Sequence, residues 1–146
     1  MQIKLQRLLN YKNNKVISQY RNEYPDSTMS ADEAFAELMK YIWLCRKHVL
    51  EKKQFPTNDT LKFNCVIHVE MEEIDNMWHT FLLFTRDYQS FCNDYLNGIF
   101  FHHDPLPVKQ GKVSKKTYEN ELNNYLSYIY ENLGEATLVK WFKEYA

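Results

Sequence analysis

Glycine is scarce in this chain. Among 146 residues the sequence has only Gly98, Gly111 and Gly134. Loops that wrap around phosphate groups, and most tight β-hairpins, need glycine at positions of positive φ. The scarcity excludes a glycine-rich nucleotide-binding loop and disfavours a sheet built from hairpins. We therefore expect helices joined by short connections.

Long apolar runs and paired cysteines are also missing. No stretch approaches the about 18 apolar residues of a membrane span, and the N-terminus lacks the apolar run and small-residue cleavage site of a signal peptide. Cys45, Cys65 and Cys92 are odd in number and have no C-x-x-C spacing. This pattern favours buried, reduced thiols over a disulfide framework. We expect a cytoplasmic protein with no transmembrane segment.

The net charge of −1 argues against a specific nucleic-acid partner. The charge is unevenly distributed, however, because residues 1–21 carry five basic side chains and no acid: Lys4, Arg7, Lys12, Lys15 and Arg21. This stretch, with the basic loop at 109–116, could contact an anionic surface. A solvated helix face is the favoured interpretation of the N-terminal charges.

The hydrophobic pattern predicts a single, mainly α domain over 1–146, a compact bundle of about five helices. Eleven Tyr, nine Phe and three Trp supply large side chains for its core. Predicted helices cover 3–20, 31–52, 71–97, the segment from Ser114 to Gly134, and 135–145. Ser30 and Glu33 form a capping box that should start the second helix at Ala31.

Residues 60–69 alternate between apolar and polar side chains, as in a β-strand. No second strand is available to pair with them. We prefer a helix or an irregular segment here, and an extended conformation stays open.

Asp75 and His79 are the first candidates for chemistry. Four residues apart on the predicted 71–97 helix, they share a face, where the carboxylate could orient the imidazole or share a metal ion with it. His102 and His103 follow the helix, with Asp104 after them. Together with His79 they form a set suitable for zinc or another divalent ion.

The end of this helix decides whether the histidines can meet. An unbroken helix to residue 97 would carry its end about 27 Å from His79, and the few residues before His102 reach at most about 14 Å. A helix that ends near Cys92 would leave enough chain to fold back alongside it. The sequence leaves both possibilities open.

Each candidate also has a structural interpretation. His79 could simply hydrogen-bond to Asp75 or to a backbone carbonyl and hold the region of Trp78, and the His102/His103 loop could simply pack. Tyr88 is interpreted as a core residue with a satisfied hydroxyl. Cys92 lies on the apolar face of the predicted 71–97 helix, and no neighbouring motif would activate it as a nucleophile.

Eight positions of this stretch form the pattern D-x-x-W-H, then Tyr, then F-C, then His and Pro: Asp75, Trp78, His79, Tyr88, Phe91, Cys92, His103 and Pro105. The pattern resembles the module of the glycine-rich domain-containing protein-like family, and the 41–50 segment resembles its upstream helix. The resemblance spans roughly 65 residues, 41–105. Many members have a further histidine where this chain has Phe81, and the glycine-rich tail is absent. The resemblance implies a shared helical module and no particular reaction.

Two functions follow as predictions. A non-enzymatic module that binds another protein is favoured, because no complete catalytic constellation is visible. The alternative is a metal-dependent hydrolytic enzyme that uses His79, His103 and Asp75 with a divalent ion such as zinc. Whether the protein is an enzyme stays open.

Overall fold

The computed structural model describes residues 2–104 and 114–143. Its α-helices are α1 (Leu5–Asn10), α2 (Asn14–Glu23), α3 (Ala31–Gln54), α4 (Glu72–Leu83), α5 (Thr85–Tyr95), α6 (Lys115–Leu133) and α7 (Glu135–Trp141). Single 3₁₀ turns occupy Asp59–Leu61 and Val69–Met71. The predicted mainly α fold class is confirmed, and no β-strand occurs in these two ranges. Within them, no helix combines the length and apolarity needed to cross a membrane.

Two helix starts lie where their capping residues predict them. Ser30 Oγ accepts a hydrogen bond from the backbone N–H of Glu33 at 3.1 Å, and α3 begins at Ala31. Ser114 Oγ does the same for Thr117 N–H at 3.1 Å at the start of α6. Each hydroxyl satisfies a backbone donor that the first helical turn leaves without an intrahelical partner.

The predicted 3–20 helix is wrong as one element, because the chain leaves the helical conformation between α1 and α2. Asn13 causes the restart: its side-chain oxygen accepts from the N–H groups of Lys15 and Val16 at 3.1 and 3.2 Å. An asparagine side chain competes for backbone hydrogen bonds in this way and favours a cap over a helix interior.

The 60–69 segment is irregular between its two 3₁₀ turns, as one of the predicted alternatives has it. Side chains of α6 bind the carbonyl groups that a neighbouring strand would otherwise bind. Asn124 Nδ2 donates to the carbonyl oxygens of Asp59 and Lys62 at 3.0 and 3.2 Å, and Tyr125 Oη donates to Val66 O at 2.8 Å. These bonds let an extended-looking sequence stay outside a sheet.

The chain divides into two compact units. Unit 1 comprises Met1–Trp43 and Ile67–His102, and unit 2 comprises Leu44–Val66 and His103–Ala146. The single domain over 1–146 stays a prediction. The predicted last helix, 135–145, ends at Trp141, and residues 144–146 lie outside the described residues.

Unit 1 has an aromatic core. Tyr11 lies in it with ring centroids 4.9 Å from both Phe91 and Tyr95, and Phe35 lies 5.7 Å from Phe81. Three basic residues of the N-terminal stretch have partners in the same unit, and one of them, Arg21, lies 3.6 Å from a carboxylate oxygen of Asp32. Arg7 donates to Asp94 O at 2.7 Å, and Lys15 lies 2.7 Å from a carboxylate oxygen of Asp87.

Unit 2 has a smaller aromatic core around His48. Its imidazole stacks on Phe63 with centroids 3.9 Å apart, and Phe63 stacks in turn on Tyr125 at 5.3 Å. His48 is 3% exposed, and its Nε2–H donates to Leu61 O at 2.9 Å. Burial lowers the pKa of this imidazole, so it stays neutral in the core.

Candidate functional site

A break at Phe84 divides the region that the sequence predicts as one helix, 71–97. Phe84 has φ −93° and ψ 69°, outside the helical region, and separates α4 from α5. One turn earlier, Thr80 Oγ1 donates to Asn76 O at 3.0 Å, a contact that often bends helices. The break lets α5 lie against α4, where Phe81 meets Tyr88 and Phe91 with centroids 4.9 and 5.4 Å apart. The prediction of an unbroken helix is therefore wrong.

The chain reverses direction after α5. Asn97 and Gly98 have φ values of 55° and 80°, and Gly98 N–H donates to Cys92 O at 3.2 Å. Gly98 thus terminates the helix, because glycine adopts positive φ without steric cost. The reversal brings Phe101 back to α4, where its ring stacks on Trp78 with centroids 5.0 Å apart.

Hydrogen bonds fix this returning segment. Trp78 Nε1 donates to Tyr88 Oη at 3.0 Å, and the Tyr88 hydroxyl donates to Phe101 O. Trp78 is 4% and Tyr88 1% exposed. Burial raises the pKa of Tyr88, so its hydroxyl keeps the proton that it donates. Tyr88 links α4, α5 and the segment after α5, residues 97–104, which we call the return loop, through a single oxygen.

Asp75 and His79 lie on α4 beside this network. His79 Nε2 is 3.5 Å from Asp75 Oδ1, and the side chains are 53% and 29% exposed. Two ligands of a tetrahedral zinc ion, each about 2.0–2.1 Å from the metal, are about 3.4 Å apart. The separation therefore suits two ligands of one ion, and both groups are open to solvent.

The return loop leads directly into the remaining candidates. His102 is exposed, with its ring 4.8 Å from that of Phe100, while His103 is half-buried and Asp104 exposed. Pro105 lies outside the described residues. Because Phe101 stacks on Trp78, the neighbour of His79, the distance argument against a site containing both His79 and the loop histidines no longer applies.

Cys92 offers no support for a nucleophilic role. Its side chain is fully buried on α5, and burial raises the pKa of the thiol. A nucleophilic cysteine needs a lowered pKa and access to substrate. Cys92 instead packs beneath the return loop that Phe101 anchors.

Phe101 is the residue that sequence reasoning missed. Its ring and carbonyl oxygen hold the chain against α4 immediately before the two histidines. The sequence does contain one signal for this contact, an aromatic residue three positions after Gly98. If the chain reverses at Gly98, that residue can reach Trp78. That signal is informative only once the break at Phe84 is known.

The chain belongs to the UCP032817-like family, whose sequence profile matches residues 6–121. The match includes Asp75, His79 and the return loop with His103. No curated protein and no solved structure matches the chain. The resemblance to the glycine-rich domain-containing protein-like family stays a prediction.

Proposed function

We propose that this protein binds a divalent metal ion, zinc being the best fit, through Asp75, His79 and His103. Two imidazoles and one carboxylate form a ligand set known from catalytic zinc sites, which keep a fourth position for water. The observation that carries the proposal is the 3.5 Å separation of His79 Nε2 and Asp75 Oδ1. It is close to the edge of a zinc tetrahedron.

Solvent access supports the same assignment. A functional ion must enter and exchange its water, and His79 is 53% exposed. A histidine used only for packing would be expected to bury its ring, as His48 does at 3% exposure. Glu72 and Glu73 lie in the same first turn of α4 as Asp75. Their negative charge attracts a cation to this region.

The third ligand is supported by the anchoring of the return loop. Phe101 is fixed to Trp78 and Tyr88, and His103 follows two residues later. Two residues span at most about 7 Å, so the fixed point restricts where His103 can lie. Of the two adjacent histidines, His103 is half-buried and His102 exposed, which favours His103 as the ligand.

Three protein ligands leave room for a bound water molecule. A zinc ion held by Asp75, His79 and His103 would lower the pKa of such a water and supply a nucleophile near neutral pH. The reaction class that suits this ligand set is hydrolysis, with the ion as the reactive centre and the Trp78/Tyr88 network as its support. No other catalytic group is needed for this proposal.

Elemental analysis tests the proposal. The chain, purified without chelator and loaded with zinc, should retain about one ion per molecule after desalting. His79→Ala and Asp75→Asn should lose it while keeping the wild-type circular dichroism spectrum. A wild-type chain that retains no zinc, copper, manganese or iron would refute metal binding.

A control variant distinguishes the loss of a metal ligand from a general effect of replacing a histidine. His68 lies outside α4 and is not a proposed ligand, so His68→Gln should keep the ion. If His68→Gln and His79→Ala lost zinc equally, the bound metal would be nonspecific. Activity against ester or phosphoester substrates is then compared in the loaded wild type and His79→Ala.

A second candidate is the protein-interaction module predicted from the sequence. The observation in its favour is the exposure of two large apolar side chains of unit 1, Val69 at 81% and Leu83 at 68%. Such side chains add to the affinity for a partner when they are buried on binding. Replacing both with lysine should abolish capture of a defined partner at unchanged melting temperature. Equal capture by both forms would contradict it.

Contact with an anionic surface through residues 1–21 is the least supported role. Three of its five cations already have partners in unit 1: Arg7 lies over the ring of Tyr95 at 4.7 Å, Lys15 pairs with Asp87, and Arg21 lies 3.6 Å from a carboxylate oxygen of Asp32. Binding to vesicles of acidic lipid that falls steeply with salt would support this role. Salt-insensitive or absent binding would dismiss it.

A further inference from the structure

Cys45 and Cys65 lie together in unit 2. Their sulfur atoms are 2.6 Å apart, and Cys45 Sγ is also 3.4 Å from Cys65 O. This sulfur separation is only ~0.6 Å longer than the 2.03–2.05 Å bond of a disulfide. The two residues are not joined by a bond in the structure. They are 20 positions apart in the sequence, so the contact is a product of the fold.

The backbone on both sides of Cys65 is held in place. On its N-terminal side, Leu61 O accepts from His48 Nε2, one turn along α3 from Cys45. On its C-terminal side, Val66 O accepts from Tyr125 Oη at 2.8 Å. Two side chains of the unit 2 core, His48 and Tyr125, therefore hold the backbone that carries Cys65.

A shared metal ion fits this pair poorly. Two thiolate ligands of a tetrahedral zinc ion, each at about 2.3 Å, would lie about 3.8 Å apart. The observed 2.6 Å is much shorter. A direct bond between Cys45 and Cys65 needs a smaller displacement of the sulfur atoms than the insertion of an ion between them.

We propose that Cys45 and Cys65 form a reversible disulfide, an oxidative modification site within unit 2. The oxidant is a small disulfide of the glutathione class. One cysteine thiolate attacks a sulfur of the oxidant, breaks its S–S bond and releases one thiolate, which takes up a proton to become a thiol. The second cysteine, as thiolate, attacks the protein sulfur of this mixed disulfide and releases the second thiol molecule. The two protein thiols lose two electrons and two protons, and the oxidant becomes two thiols.

Burial controls the rate of this exchange. Burial, together with the hydrogen bond between the two thiols, raises the pKa of Cys65 well above its usual range. The attacking species is the thiolate, so oxidation should be slow at neutral pH and faster as the pH rises. Cys45 is 4% exposed and Cys65 half-buried, which also slows the approach of the oxidant.

The test is oxidation of the folded, full-length chain by glutathione disulfide, followed by peptide mapping without reduction. The expected product has lost the mass of two hydrogen atoms and contains one cross-linked peptide that joins Cys45 to Cys65. Cys92→Ala should give the same product, because Cys92 lies in unit 1. Melting temperature should rise by roughly 5–10 °C, since the bond closes a loop in the unfolded chain.

Three results would overturn the proposal. The first is persistence of both thiols in the folded chain at pH 8.5 under excess oxidant. The second is formation of mixed disulfides with glutathione alone. The third is a Cys45 to Cys65 bond that forms equally fast in urea, which would show that the fold does not position the pair.

Discussion

Tyr88 Oη accepts from Trp78 Nε1 and donates to the carbonyl oxygen of Phe101. Trp78 and Tyr88 are 4% and 1% exposed, so water cannot replace a lost hydrogen bond there at little cost. At the scale of single residues, this hydroxyl is the contact that joins the tryptophan of α4 to the chain leading into His102 and His103.

Tyr88→Phe should lower the free energy of unfolding by roughly 1–3 kcal/mol. The change keeps the ring but removes the hydroxyl that binds both Trp78 Nε1 and Phe101 O. Urea unfolding followed by circular dichroism measures the effect. Tyr130→Phe, at a side chain that is 53% exposed, is the control and should change stability by less than about 0.5 kcal/mol. Equal stability of Tyr88→Phe and wild type would contradict this role.

Contacts between residues close in the sequence could be predicted, and contacts between distant residues could not. The contact between Asp75 and His79 follows from i, i+4 spacing on any helix. Cys45 and Cys65 were predicted as buried, reduced thiols, yet their proximity was not predicted, because it depends on the irregular path of residues 60–69. The contact between Phe101 and Trp78 could not be predicted for the same reason, since local periodicity does not show where a loop folds back.

Among the helices, α4 also organises the entry to α3. Glu73, in the first turn of α4, accepts from Met29 N–H at 2.9 Å and from the hydroxyls of Ser27 and Thr28. Burial raises the pKa of this carboxyl, but these hydrogen bonds outweigh burial and leave it below its usual value of 4.5. The ionised carboxylate thus fixes the loop that precedes Ser30, the cap of α3.

The lowered pKa of Glu73 predicts an acid-sensitive contribution to stability. A carboxyl with a lowered folded-state pKa stabilises the protein above the unfolded pKa, and the contribution is lost as the pH falls through the folded value. Unfolding free energy of wild type should therefore fall more steeply below pH 4.5 than that of Glu73→Gln. Urea titrations from pH 6 down to about pH 3 measure this.

Glu131→Gln, on the exposed side of α6, is the control and should retain the wild-type slope. Parallel curves for wild type and Glu73→Gln would refute the assignment.

Gly134 joins α6 to α7 with φ 90° and ψ 169°. This backbone region is essentially restricted to glycine, and a Cβ there would meet no atom within 4 Å, so any cost comes from the backbone. Gly134→Ala should lower the free energy of unfolding by about 1–3 kcal/mol. Ser127→Ala, at an exposed position of α6, is the control with little effect. A neutral Gly134→Ala would show that the connection can change its conformation.

Helix starts were predictable where a side chain caps them, as at Ser30 and Ser114. The break at Phe84 was not, because no proline or glycine marks it. The gain that favours it is tertiary: α5 buries Tyr88 and Phe91 against Phe81 of α4. Periodicity continues through the break, so the sequence pattern alone favours a single helix.

For the whole molecule, composition predicts the mainly α class well. Few glycines and helical periodicity both favour the same answer. Function is less accessible, because the family match covers 6–121 without assigning a reaction. The metal proposal rests on the location of a few side chains after the chain has folded.

Metal binding by the native state should stabilise the molecule. At a free zinc concentration of about 100 times Kd, the unfolding free energy should increase by about 2.7 kcal/mol, because zinc binds the folded chain in preference to the unfolded one. A chelator should reverse the gain, and His79→Ala should show none. Thermal unfolding with and without zinc measures it. The same increase in His79→Ala would place the ion elsewhere.

The adjacent histidines of the return loop provide the most direct test of the metal assignment. His102 is exposed and His103 half-buried, although they are neighbours in the sequence. Zinc affinity, measured by competition with a chromophoric chelator, should be unchanged in His102→Ala and weaker by at least about tenfold in His103→Ala. Equal affinity in wild type and both variants would contradict the assignment of His103 as a ligand.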